Sequence, residues 1–121
     1  MNGAILVAGG GALGALARYA VGLMGLRLFG AAFPYGTLAV NAIGGLAMGA
    51  VFILIGDRKE LMLLLATGVL GGFTTFSSYS LEVVRMFERG DLVTAVSYAL
   101  GSVIIACAGV YLGMSVARGL A

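Results

Sequence analysis

The chain has 121 residues, of which 61% are hydrophobic and 10% are charged, and its formal net charge is +2. Its mean hydropathy of +1.11 lies far above that of soluble domains and predicts an integral membrane protein. With no histidine and a single cysteine, the chain lacks the usual ligands of a transition metal and the base of a Ser–His or Cys–His nucleophile, so we do not expect an enzyme.

Four apolar stretches are each long enough to cross a hydrocarbon core of roughly 30 Å as a helix. We predict a single all-α membrane domain over residues 1–121, with spans near 4–26, 36–56, 61–88 and 92–117. Barrel strands are excluded because apolar and polar residues do not alternate along these stretches.

The third predicted span is overlong and contains "GGFTTFSSYS" at residues 71–80. The adjacent glycines loosen the backbone, and the Ser and Thr side chains that follow compete for its hydrogen bonds. We therefore predict a break near 71–80, the alternative being a simple kink. Non-helical backbone at membrane depth persists only where protein or a polar cavity satisfies it.

Basic residues are divided equally between the two ends of the predicted bundle. One end carries Arg58, Lys59 and Arg118, and the other carries Arg27, Arg85 and Arg89. An excess of Lys and Arg on one side normally sets orientation. The balance therefore predicts that copies insert both ways and pair as an antiparallel homodimer about a two-fold axis in the membrane plane; a single fixed topology is the alternative.

Glycines recur at four-residue spacing in all four spans. The pairs are Gly10 and Gly14, Gly45 and Gly49, Gly68 and Gly72, and Gly109 and Gly113. Such stripes let helix backbones approach closely in lipid. They predict a tight bundle with a narrow path rather than a cavity for a large substrate.

Polar side chains occur where a membrane helix is normally apolar. Arg18 lies inside the first span, where a buried cation costs about 2.5–3.5 kcal/mol, so it either attracts anions at a vestibule or anchors the structure. Thr37 and Asn41 share one face of the second span, as Tyr98 and Ser102 do in the fourth. Each pair either lines an ion path or holds neighbouring helices together.

Two further features flank the predicted break. Phe73, Phe76 and Tyr79 recur every three residues; such a stripe packs in a core, or it presents positive ring edges that attract a small anion. Glu82 follows them; its default explanations are pairing with an arginine or capping of the break, and the alternative is a place on the ion route.

The motifs "GGFTTFSSYSLE" at 71–82 and "PYGTLAVN" at 34–41, together with an arginine in the first span, resemble the Fluc (CrcB-type) fluoride channel family. The resemblance covers the whole chain in length, number of spans and charge balance. It implies a passive, fluoride-selective channel in the bacterial inner membrane. It further implies an antiparallel dual-topology dimer with two separate fluoride pores and a structural Na⁺ on the symmetry axis.

The resemblance also assigns roles to individual residues. Phe76 and Tyr79 match positions where ring edges line the fluoride path, Asn41 matches the pore amide, and the backbone carbonyls of Gly71 and Thr74 match the Na⁺ ligands. The other matches are polar pore positions and the first-helix arginine: Thr37, Ser80, Tyr98, Ser102 and Arg18. The chain departs from the family in having Tyr79 where phenylalanine is familiar, and Ala106 where some members continue a hydroxyl track.

Two other functions are compatible with four short spans. A small dual-topology, proton-coupled multidrug exporter carries a membrane glutamate in its first helix, where this chain has Arg18 and no acid. In a non-transporting assembly subunit, the polar residues would serve only to join the helices.

Overall fold

The computed structural model describes residues 2–121, and its regular secondary structure in that range is helical. Four helical stretches are long and apolar enough to cross a membrane: Gly3–Phe29, Tyr35–Ile55, Lys59–Glu88 and Leu92–Leu120. We refer to them as the first helix, the second helix, the third span and the fourth helix. They confirm the predicted fold class, and the chain is a multi-pass membrane protein.

The first helix has well-defined ends. The side chain of Asn2 accepts a hydrogen bond from the Ala4 N–H at 2.8 Å, which satisfies one of the free donors of the first turn. At the other end, Gly30 takes a positive φ of 76° and donates its N–H to the Leu26 carbonyl, a conformation that glycine adopts without strain. A short connection then leads to Tyr35.

The third span is the irregular element. After a short α-helical start at Lys59–Leu61 it continues as a π-helix over Met62–Leu70 and a single α turn at Gly71–Phe73. Thr74 is extended, with φ −84° and ψ 159°, and the helix resumes at Ser77–Glu88. The break expected from the sequence is present and occupies residues 74–76, a shorter stretch than the motif that predicted it.

Two glycine-lined seams hold the bundle together. The first helix packs against the N-terminal half of the third span, and the second helix packs against the fourth. A Cβ atom on Gly14 would collide with the Val69 carbonyl, and one on Gly49 would collide with the Val110 carbonyl. The backbones are therefore in direct contact along both seams, as the glycine spacing predicted.

Candidate functional site

The break in the third span frees backbone groups that need partners at membrane depth. Asn41, on the second helix, supplies two of them. Its Nδ2 donates to the Thr75 carbonyl at 2.9 Å, and its Oδ1 accepts from the Thr75 N–H at 2.9 Å. The amide of Asn41 thus makes the two hydrogen bonds that the Thr75 backbone would otherwise make within a continuous helix.

Other side chains stabilise the two ends of the break. The Arg18 Nε donates to the Gly72 carbonyl at 3.1 Å, and the Thr74 hydroxyl donates to the Leu70 carbonyl at 2.9 Å. On the far side, the Thr75 hydroxyl accepts from the Ser78 N–H at 3.1 Å, as a helix-capping residue does. Arg18 therefore braces the break, one of the two roles that the sequence left open.

The helix stops at Phe73 and Thr74 is extended, so the carbonyls of Gly71 and Thr74 lie beside a break in the helix. Free carbonyls of a broken membrane helix are suitable ligands for an alkali cation. Within the same residues no cluster of three His, Cys, Asp or Glu side chains is present, so any cation bound here would be held mainly by neutral oxygen atoms. The residues thus fit a Na⁺ ion, with Gly71 and Thr74 among its possible ligands.

Glu82 is the acceptor of a small hydroxyl cluster. The Thr37 hydroxyl donates to its Oε2 at 2.9 Å, and the Tyr98 hydroxyl donates to its Oε1 at 3.0 Å. The arginine partner or cap expected by default for Glu82 is replaced by these two hydroxyls. A carboxylate that accepts charge-assisted bonds from two helices links the second helix, the third span and the fourth helix.

A row of aromatic rings connects the break with this cluster. The ring centroids of Phe76 and Tyr79 are 5.4 Å apart, and those of Tyr79 and Tyr98 are 5.5 Å apart. The Tyr79 hydroxyl donates to the Ala99 carbonyl at 2.7 Å. This hydroxyl therefore attaches the ring to the fourth helix, so Tyr79 offers the groove its ring rather than a free hydroxyl.

An open groove of about 340 Å³ lies beside the break, between the second and fourth helices. The polar and aromatic residues that line it include Asn41, Thr74, Thr75, Phe76, Tyr79 and Ser102. Ser102 is only 6% exposed, and within residues 2–121 its hydroxyl has no hydrogen-bond partner. A buried hydroxyl without a partner is unfavourable, so this side chain is a ready donor for a ligand in the groove.

A second cavity, of about 470 Å³, lies on the other side of the break. Arg18, Thr37, Ser78 and Glu82 contribute its polar lining, and Thr75 lines both spaces. The two spaces are therefore separated by the broken backbone and the rings attached to it.

The structure brings most of the predicted site residues to these two spaces. The groove contains Asn41, Thr74, Phe76, Tyr79 and Ser102, and the cavity contains Arg18 and Thr37. The remaining predicted residues, Gly71, Ser80 and Tyr98, line neither. The Ser80 hydroxyl donates back to the Phe76 carbonyl at 2.8 Å, and the Tyr98 hydroxyl donates to Glu82.

Sequence reasoning did not assign a role to Thr75, whose backbone is the partner of Asn41, or to Phe33, which packs on Tyr98. Thr75 lies inside the motif that predicted the break, so the motif itself was the available signal. Phe33 precedes the proline of "PYGTLAVN" and carries no polar group that would have marked it.

Known proteins match the chain over nearly all of its length. A family model described as CrcB-like protein, Camphor Resistance (CrcB), matches residues 5–114. A relative from Rhizobium leguminosarum bv. trifolii, called "Fluoride-specific ion channel FluC", is 52% identical over 98% of both chains. Relatives of the same name from Agrobacterium fabrum and Paracoccus denitrificans are 48% identical over 95% of each chain and 49% identical over 94% of this chain and 93% of the relative. The chain therefore belongs to the CrcB family, as its motifs predicted.

Proposed function

We propose that the chain is a fluoride-selective ion channel that exports the anion passively. The observation that carries the proposal is the groove beside the break, where the unpartnered Ser102 hydroxyl, the Asn41 amide and the Phe76 ring line one space. Relatives about half identical over nearly the full chain bear the name "Fluoride-specific ion channel FluC", and this supports fluoride as the ion.

The groups in the groove suit a small anion that holds its water tightly. Selectivity requires that protein donors replace this water in a path too narrow for larger ions. The Ser102 O–H is free, and Asn41 uses one N–H for Thr75 and has a second to offer. The ring edges of Phe76 and Tyr79 add positive potential without a formal charge.

The cavity at Arg18 supplies the second part of the proposed path. A cation at its wall raises the local concentration of anions, and the Thr37 and Tyr98 hydroxyls lie at Glu82. An anion in the cavity gains the Thr37 donor only when the Glu82 carboxylate releases it, while Tyr98, which does not line the cavity, keeps its hydrogen bond to the carboxylate. The cluster therefore discriminates against an anion that binds hydroxyls less strongly than the carboxylate does.

Passive flow suffices for export. Fluoride enters a cell as neutral HF from an acidic medium and ionises inside, so the membrane potential drives the anion outwards. The chain contains no phosphate-binding loop that would couple transport to a nucleotide.

The proposed assembly is an antiparallel homodimer in the membrane. The groove is open on one side, and the Phe76 ring at its edge is 77% exposed, so a second copy is needed to close the path. Equal basic charge at both ends supports opposite insertion. Two copies related by a two-fold axis would each contribute the Gly71 and Thr74 carbonyls to one Na⁺ ion, which would add a fixed positive charge at the break.

Purified protein in liposomes loaded with fluoride tests the function, with an external fluoride electrode and a potassium ionophore to release charge. We expect rapid fluoride release without a proton gradient and little chloride release. Phe76→Ile is expected to reduce fluoride flux and leave the dimer intact. The matched control is Phe87→Ile, an exposed ring outside both spaces, which should conduct normally.

Three results contradict the proposal. Equal release of chloride and fluoride would contradict fluoride selectivity. Unchanged fluoride flux in a folded Phe76→Ile variant would contradict the role of the Phe76 ring, and the absence of any flux would contradict the channel function. Proton-driven uptake of an organic cation by the same liposomes would identify an exporter instead.

A further inference from the structure

Phe33 lies in the connection between the first and second helices and is fixed there by the backbone. The Phe33 carbonyl accepts from the Tyr35 N–H at 2.9 Å, and Pro34 between them has φ −80° and ψ 65°. These are the dihedrals of an inverse γ-turn, and proline restricts φ to this region. The turn therefore fixes the backbone that carries the Phe33 ring.

The Phe33 ring packs directly on Tyr98. The two ring centroids are 5.3 Å apart at an interplanar angle of 80°, the edge-to-face arrangement that aromatic pairs prefer. Phe33 also packs against the buried cluster of Met86, Ala95 and Tyr98. Tyr98 is 3% exposed, so its ring is enclosed.

Tyr98 contacts two aromatic rings that are held in different ways. The Tyr79 ring is attached to the fourth helix by the hydrogen bond of its hydroxyl to Ala99. The Phe33 ring has no polar group and is held by packing. Phe33, Thr37 and Glu82 line the Arg18 cavity and Tyr98 does not. The Phe33 ring, which touches both the cavity and Tyr98, therefore lies at the boundary between them.

We propose that Phe33 is a positioning residue: its ring holds the Tyr98 hydroxyl on Glu82 and keeps water of the cavity away from that bond. The Phe33 side chain has no hydrogen-bond donor, and its ring is in edge-to-face contact with Tyr98, so its proposed effect passes through Tyr98; a double-mutant cycle separates this from a direct effect of the ring on the anion. The consequence for fluoride flux rests on the proposed function, whereas the effect on the Tyr98 hydrogen bond does not.

The first test observes Tyr98 directly. Protein labelled with ¹³C at the tyrosine ζ carbon gives a signal that reports the hydrogen bond of each hydroxyl, and the Tyr98 signal is assigned with Tyr98→Phe. Phe33→Leu, which keeps an apolar side chain but removes the ring edge, is expected to shift that signal. The matched control Phe29→Leu changes a 60% exposed ring that contacts Tyr35, and it should leave the Tyr98 signal in place.

The second test is a double-mutant cycle on fluoride flux. Phe33→Leu alone is expected to lower flux roughly three- to tenfold, the range that an edge-to-face ring pair contributes. In the Tyr98→Phe background the same change should alter flux less than about twofold, because no hydroxyl remains to be positioned.

An unshifted Tyr98 signal in Phe33→Leu overturns the inference, as does a flux loss of equal size in both backgrounds. A protein that shifts the Tyr98 signal as expected but never conducts fluoride refutes the proposed function and leaves the positioning role standing. If Tyr98→Phe carries no flux, the labelled signal alone decides.

Discussion

Replacement of Asn41 by alanine tests the central structural claim, that this amide substitutes for the missing helical backbone at Thr75. The change removes both hydrogen bonds of 2.9 Å and leaves the Thr75 N–H and carbonyl without their partner. Two unsatisfied buried groups cost about 1–3 kcal/mol each, whereas hydrogen bonds between membrane helices average about 0.6 kcal/mol.

The position of Thr75 decides how much of the cost of two unsatisfied backbone groups Asn41→Ala incurs. Its backbone lies between the groove and the Arg18 cavity and lines both, so water can replace part of what Asn41 supplied. We therefore expect Asn41→Ala to lower the free energy of unfolding by about 1–3 kcal/mol, below the full cost of two dry groups. We expect fluoride flux to fall with it, because the Phe76 ring next to Thr75 loses its fixed position.

The assay is equilibrium unfolding of the purified protein in detergent micelles, followed by loss of helical circular dichroism. Ser115→Ala is the matched control, because the Ser115 hydroxyl bonds only back to Tyr111 within its own helix and is expected to contribute less than about 0.5 kcal/mol. If Asn41→Ala has the same free energy of unfolding as the wild-type protein, the break does not depend on the Asn41 amide. An equal loss in both variants would show that the assay does not resolve the bond.

Three further outcomes follow from the packing and the break. Gly49→Ala drives a methyl group into the Val110 carbonyl and should destabilise the bundle by about 1–3 kcal/mol. Gly101→Ala, whose new Cβ meets no atom of residues 2–121 within 4 Å, should be neutral or slightly stabilising; equal melting temperatures of the two variants would contradict close backbone packing at Gly49. Tyr79→Phe loses only the bond to Ala99, so unfolding should become easier by about 1 kcal/mol while fluoride flux persists, and complete loss of flux would mean that the hydroxyl itself contacts the ion. Replacing Na⁺ in the buffer with a bulky organic cation should lower the melting temperature, because a bound Na⁺ would stabilise the folded protein by holding the carbonyls at the break. A melting temperature that does not depend on Na⁺ would contradict the proposed Na⁺ site.

Much of the fold was predictable because each of its signals is local. Four apolar stretches define four spans, and adjacent glycines followed by hydroxyl side chains define a break, without knowledge of any neighbour. The glycine spacing likewise predicted close helix contacts, because a helix without side chains along one stripe lets the backbone of a neighbouring helix approach that stripe closely.

The pairing of polar groups was less predictable because the partners are far apart in the chain. Glu82 bonds to Thr37, 45 residues away, and Asn41 bonds to Thr75, 34 residues away. Periodicity shows which face of a helix a residue occupies, but not which face of another helix it meets. The default arginine partner for Glu82 was therefore wrong, and the role of Phe33 had no local signal at all.

The amino-acid sequence by itself determined that this protein spans a membrane four times and that its third span is interrupted, because apolar length and backbone preference are properties of contiguous residues. Its family was recognised separately, from the resemblance of two motifs and an arginine in the first span. Only the tertiary structure decided that Asn41 completes the interrupted backbone, that Arg18 braces it and that the Ser102 hydroxyl is left without a partner. The physical reason is that a buried polar group must be satisfied by whatever the packing of distant helices brings within about 3 Å.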